Sequence, residues 1–116
     1  MKILLVEDLD LFATYVISVL LRGEEVRHVR SAAEAIAVFD EEESFDLFLV
    51  DYDLDGDKGT DFVEWLRNEL GDARPVIAIS ARAVGNERLK KAGANAHCAK
   101  LEITRIRAVI SSVLEH

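Results

Sequence analysis

The sequence predicts an α/β fold of the flavodoxin-like kind, a (βα)5 three-layer sandwich around a parallel five-stranded sheet in the order 2-1-3-4-5. Three observations lead there. Short, nearly continuous apolar runs recur at Ile3–Val6, Phe45–Val50 and Val76–Ile79, as in strands buried on both faces of a sheet. Segments with helical spacing lie between them. The two patterns alternate five times, which requires right-handed crossovers and helices on both sheet faces.

Each element has its own signal. The first strand is Ile3–Val6. Leu9–Leu21 carries apolar residues at helical spacing and stops before Gly23, a natural C-terminal cap. Glu25–Val29 is a weaker strand signal. Ser31-Ala32-Ala33-Glu34 reads as a capping box opening an alanine-rich helix that runs to about Phe39. The Phe45–Val50 strand is followed by a helix over Thr60–Leu70, closed by Gly71. The Val76–Ile79 strand is followed by Val84–Ala92, closed by Gly93, and then by a weak strand over Ala96–Ala99. The last helix, Ile103–Leu114, spaces Ile103, Ile106, Val109, Ile110 and Val113 along one face.

Half of the 116 residues are apolar, enough for one hydrophobic core. The formal net charge of −8 disfavours direct contact with nucleic acid or an anionic membrane and suits cations or basic partners. A single cysteine, Cys98, excludes an intrachain disulfide and suits a reducing compartment. The apolar run at the N-terminus is too short for a signal peptide or a membrane span, so a cytoplasmic protein is expected. Leu114-Glu115-His116 looks like the start of an expression tag. The domain is therefore expected over 1–114, with 115–116 as a tag remnant.

In open α/β sheets, sites form beyond the carboxyl ends of the strands. Glu7 and Asp8 follow the first strand, Asp51 the third and Ser80 the fourth, and Lys100 lies near the end of the fifth. Strands 1, 3, 4 and 5 are neighbours in the expected order, so these groups should share one cleft. Clustered carboxylates call for a cation, and hard oxygen ligands suit Mg²⁺. Beside the metal, a carboxylate can accept a phosphoryl group. A hydroxyl and an ammonium can bind that group's oxygens. Taken singly, each residue also has a plainer reading: an acidic first turn of a helix, a turn serine, a surface lysine. All of them falling at strand ends together favours the site.

These residues resemble the receiver domains of two-component response regulators, over nearly the whole chain. The resemblance is carried by Met1–Asp8 as opening strand and acidic pair, Phe45–Asp51 as the strand ending in the phosphoacceptor, and Gly59 as the loop glycine. Ile79-Ser80-Ala81 and Gly93–Lys100 complete it. It implies phosphorylation of Asp51 by a histidine kinase, phosphotransfer protein or small phosphodonor. It implies Mg²⁺ held by Glu7, Asp8, Asp51 and the backbone carbonyl of Asp53. It further implies phosphoryl binding by Ser80 and Lys100, with Ser80 and His97 as switch residues that report to a downstream protein or output domain. No turnover of an external substrate is implied beyond self-phosphorylation and autodephosphorylation.

Four positions depart from the family pattern. Leu101 stands where proline usually follows the lysine, and a non-proline cis bond there would cost about 3 kcal/mol. His97 replaces an aromatic switch residue, and can be read either as a pH-sensitive switch or as an ordinary strand residue. The Ser80–Lys100 segment is short and contains Gly85, which predicts a short or loose fourth helix and leaves dimerisation open. The loop Asp51–Gly59 is unusually acidic. Within it Asp53 is expected to pair with Arg82 across the pocket, the two tuning the lifetime of the phosphoryl group. Three rival readings remain. Asp51, Asp53, Asp55 and Gly56 match half of a calcium loop, but Phe62 sits where its bidentate glutamate belongs. Asp51-Tyr52-Asp53 resembles the nucleophile motif of haloacid-dehalogenase-like phosphatases, which usually opens a domain rather than lying mid-chain. A degenerate receiver acting as a phosphorylation-independent docking module keeps the fold without the chemistry.

Overall fold

A computed structural model describes residues 1–115 of the chain. Five parallel strands, β1 (Lys2–Val6), β2 (Glu25–Val29), β3 (Leu47–Val50), β4 (Val76–Ala78) and β5 (Ala96–His97), form one sheet in the order β2-β1-β3-β4-β5. This is the expected flavodoxin-like order. Alternate residues of the strands feed two cores. Leu4, Val6, Phe48, Val50, Val76 and Ala78 face α2 (Ala32–Val38), α3 (Gly59–Glu64) and α4 (Ala83–Ala92). Ile3, Leu5, Leu47, Leu49 and Ile77 face α1 (Asp10–Tyr15) and α5 (Ile106–Leu114). The expected stripe is seen along the last helix: Ile103, Ile106 and Ile110 are buried, with Val109 and Val113 packed beside them. No helix among the described residues is long and apolar enough to cross a membrane.

The elements differ from expectation chiefly at their ends. The first and third helices do not stay α-helical. They finish in wider i→i+5 turns over Val16–Leu20 and Trp65–Glu69, closed by bonds from Leu21 N–H to Val16 O (2.8 Å) and from Leu70 N–H to Trp65 O (3.0 Å). The capping box at Ser31 is half formed. Ser31 Oγ accepts from Glu34 N–H, but Glu34 returns its bond to the N–H of Arg30 rather than to that of Ser31. β5 is only two residues long because the chain turns at Lys100 into a 3₁₀ segment, Lys100–Arg105, that leads into α5. Every described peptide bond is trans, Lys100–Leu101 included. Glu115 continues off α5 through a bond to Ser111 O, and His116 lies outside the described residues.

The expectation of a loose fourth helix is overturned. α4 runs for ten residues, and Gly85, which suggested weakness, is what seats it. A Cβ at Gly85 would overlap Ser80 Oγ and come within 2.9 Å of Tyr52 Cβ. The missing side chain lets the helix press against β4 at the site.

Candidate functional site

The carboxyl ends of β1, β3 and β4 converge as the strand order requires. Glu7 is fully buried and Asp51 is 4 % exposed, while Asp8 is half-buried at the mouth. One carboxylate oxygen from each of the three lies within 4.8 Å of the others. Lys100 enters from beyond β5 and donates to Glu7 Oε1 (2.5 Å) and Asp51 Oδ2 (3.1 Å). Its ammonium also lies over the Phe12 ring of α1, 4.7 Å from the ring centre. Asp51 Oδ1 accepts from the N–H of Tyr52 (2.8 Å). The second oxygen of Glu7, Oε2, is buried with no hydrogen-bond partner.

Electrostatics follow from burial. Desolvation first, and then the neighbouring Asp51, push the Glu7 carboxyl up to about 8, with Lys100 only partly opposing them. Burial works against the Lys100 ammonium, but its contacts with Glu7 and Asp51 outweigh that, so its pKa is raised and it stays charged. Three carboxylates thus face one ammonium, with a proton retained on Glu7. A divalent cation fits this set. It would replace that proton, satisfy the orphaned Oε2 and find the hard oxygen donors it prefers.

The surrounding residues hold the cleft in shape. Gly59 donates its N–H to Tyr52 O (2.8 Å), and a Cβ there would collide with the backbone carbonyl of Asp51. No larger residue would let α3 approach so closely. Ser80 is buried, and its Oγ accepts from Arg82 N–H (3.1 Å). Asn86, a buried residue of α4 that attracted no attention in the sequence, clamps Ser80 by both backbone groups. It accepts from Ser80 N–H at 2.8 Å and donates to Ser80 O at 3.2 Å. Its signal was a polar residue three positions before the buried Leu89 on the inner face of the helix.

Asp53 and Arg82 meet across the mouth. The guanidinium reaches both oxygens of Asp53, with Nη2–Oδ2 at 2.8 Å. Lys58 Nζ adds a second cation to Asp53, at 2.8 Å. Lys58 first, then Arg82, hold the Asp53 carboxyl below its usual range. Lys58, Arg82 and Arg88 surround the Tyr52 ring, and Arg88 donates to its hydroxyl (2.7 Å). An open cavity of about 330 Å³ is bounded by Asp8, Leu9, Asp51, Asp53, Arg82 and Lys100. His97 lies elsewhere. It is exposed on β5 opposite Ala78 and lines a separate groove against Asn86, Glu87 and Lys90 of α4. The structure therefore brings Glu7, Asp8, Asp51, Ser80, Lys100, Asp53 and Arg82 together and leaves His97 outside.

Residues 3–111 match the family model of the response regulator receiver domain. No curated protein matches the chain. Among solved structures it is similar to a CheY-like response regulator receiver domain protein from Methanospirillum hungatei JF-1 (26 % identity, 98 % of this chain and 94 % of that one, TM-score 0.82). It shares its fold with a response-regulator candidate from Chloroflexus aurantiacus J-10-fl (24 %, 99 % and 98 %, TM-score 0.86). The same holds for TrrA, a response regulator protein from Thermotoga maritima solved in complex with Mg²⁺-BeF (18 %, 97 % and 97 %, TM-score 0.79).

Proposed function

The chain belongs to the response regulator receiver domain family, and from that premise we propose that it is a phosphorylation switch whose acceptor is Asp51 and whose cofactor is Mg²⁺. The observation that carries the reading is the buried Glu7 carboxylate, left with one unpartnered oxygen beside Asp51 and Lys100. Leaving a buried oxygen without a hydrogen-bond partner costs about 1–3 kcal/mol, which a site built to hold a cation offsets.

A carboxylate oxygen of Asp51 attacks phosphorus, and the donor's leaving group departs with the bonding electron pair. Glu7, Asp8, Asp51 and the Asp53 carbonyl would hold the metal, which supplies neutralisation of phosphoryl charge and alignment of the donor. Lys100, already charged and bonded to Asp51, would move its bond to a phosphoryl oxygen. Ser80 would offer its hydroxyl to another, with Asn86 holding its backbone in place. Asp53 and Arg82 cover the mouth and would govern water access, hence the lifetime of the acyl phosphate. Ser80 and His97 remain the proposed switch positions. His97, exposed on the α4 groove, would act by changing the surface offered to a partner. The donor would be a histidine kinase or phosphotransfer protein, and the recipient of the signal a downstream protein or output domain, in the cytoplasm. The Mg²⁺-BeF complex of TrrA supports the cofactor.

The test is incubation with acetyl phosphate and Mg²⁺ followed by intact mass. Wild type should gain one phosphoryl group and Asp51→Asn none. An adduct on neither protein would leave a docking module, and steady release of phosphate from an external phosphomonoester would point to a phosphatase.

A further inference from the structure

The loop between β3 and α3 is unusually acidic. In the folded chain its carboxylates are already committed, and two of them are committed to one corner. The corner between β2 and α2, Arg30 to Ala33, holds the loop at several points. Asp57 accepts from the N–H groups of Ala32 (2.9 Å) and Ala33 (3.1 Å), so a residue distant in sequence caps the first turn of α2. Asp55 N–H reaches Arg30 O (3.5 Å), and Asp55 Oδ2 meets Arg30 Nη2 (3.4 Å). The other arm of the same guanidinium, Nη1, bonds Asp10 at the start of α1. Glu34 fixes the Arg30 backbone through its N–H (2.8 Å).

Arg30 therefore spans two loops. One follows β1 and carries Glu7 and Asp8. The other follows β3 and carries Asp51 and the Asp53 carbonyl. These are the two loops that must keep a fixed separation if three carboxylates are to share one cation. Exposed ion pairs such as these add little to stability, so a strap of this kind has little effect on the fold and much on the loops it joins.

We propose that Arg30 is a positioning residue for the cation site, bracing the two ligand-bearing loops so that their oxygens are already gathered when the cation arrives. The inference rests on the metal reading given above. Groups bonded directly to metal ligands typically change affinity by 10- to 100-fold; Arg30 acts one step further out, through Asp10 and Asp55, so a smaller change is expected. Electrostatics alone predicts the opposite sign. Arg30 is a cation following β2 at the same end of the sheet as the site, so removing its charge should leave Mg²⁺ binding unchanged or tighten it. A brace, when removed, should loosen it.

Calorimetric titration of Mg²⁺ into wild type, Arg30→Met and Arg30→Lys separates the two, with thermal unfolding in EDTA as the control for the fold. We expect Arg30→Met to bind Mg²⁺ up to about fivefold more weakly, the range that exposed ion pairs can supply, at an unchanged EDTA melting point. Arg30→Lys should recover part of the loss, since one ammonium can hold one of the two acids. Unchanged or tighter binding by Arg30→Met overturns the proposal while leaving the metal site intact. A wild type that bound no Mg²⁺ would overturn the site, and the brace with it.

Discussion

At the scale of single residues, the least comfortable group in the protein is Glu7, fully buried and carrying an oxygen that nothing satisfies. Glu7→Gln keeps its shape and removes the carboxylate. The variant should lose Mg²⁺ affinity by more than tenfold, the lower bound for disturbing even an indirect ligand contact. In EDTA it should melt no lower than wild type, because a desolvated acid has been removed. Calorimetry and a thermal scan check the two halves separately. Arg82→Ala opens the mouth that the Asp53–Arg82 fork covers, and should shorten the phospho-Asp51 half-life several-fold in a phosphate-release assay. An unchanged half-life would detach the pair from lifetime control. Asp51, Ser80 and Lys100 were legible because each sits where an apolar run ends. Arg30 and Asp57 were not, because the side chains and N–H groups they bond lie 20 or more residues away, and Asn86 was not, because it meets Ser80 only once α4 has folded back over the end of β4.

At the scale of elements, the fourth helix shows how one residue can carry opposite signals. An isolated glycine in a helix costs about 1 kcal/mol relative to alanine, so Gly85 read as a flaw. Its contact with Ser80 and Tyr52 reverses the sign. Gly85→Ala should destabilise the protein by about 1–3 kcal/mol through overpacking, and should slow phosphorylation by displacing Ser80. Urea melts and phosphorylation kinetics read both effects. The loop before β4 carries a second lesson. Asp72 accepts from Arg74, which lowers its pKa, and Arg67 ties the same loop to Gly93 and Asn95. A carboxyl depressed on folding stabilises at pH above its ordinary value of 3.8 and loses that contribution as pH falls through the folded value. Asp72→Asn should therefore be less stable than wild type at neutral pH, with the gap closing in acid, as measured by denaturation midpoints across that range.

At the scale of the whole molecule, the proposed metal and phosphoryl site lies at one end of the sheet, so ligand occupancy should be visible as global stability. Mg²⁺ at about a hundred times its dissociation constant should add about 2.7 kcal/mol to wild type and raise its melting temperature, while Glu7→Gln should barely respond. The sheet order, the two cores and the gathering of Glu7, Asp8, Asp51, Ser80 and Lys100 were determined by sequence alone. The physical reason is that runs buried on both faces must be parallel strands, and crossover handedness leaves few ways to order them. What only the tertiary structure decided lies in close approach and in long-range polar pairing. It decided that α4 is firm because of Gly85, that the acidic loop is a clasp around the β2–α2 corner, and that His97 lines a groove next to the Asp51 cavity, sharing Ala81 with it, rather than the cavity itself. Hydrophobic period is written locally in the chain. Which donor meets which carboxylate is not, because the two partners come together only when the sheet has formed.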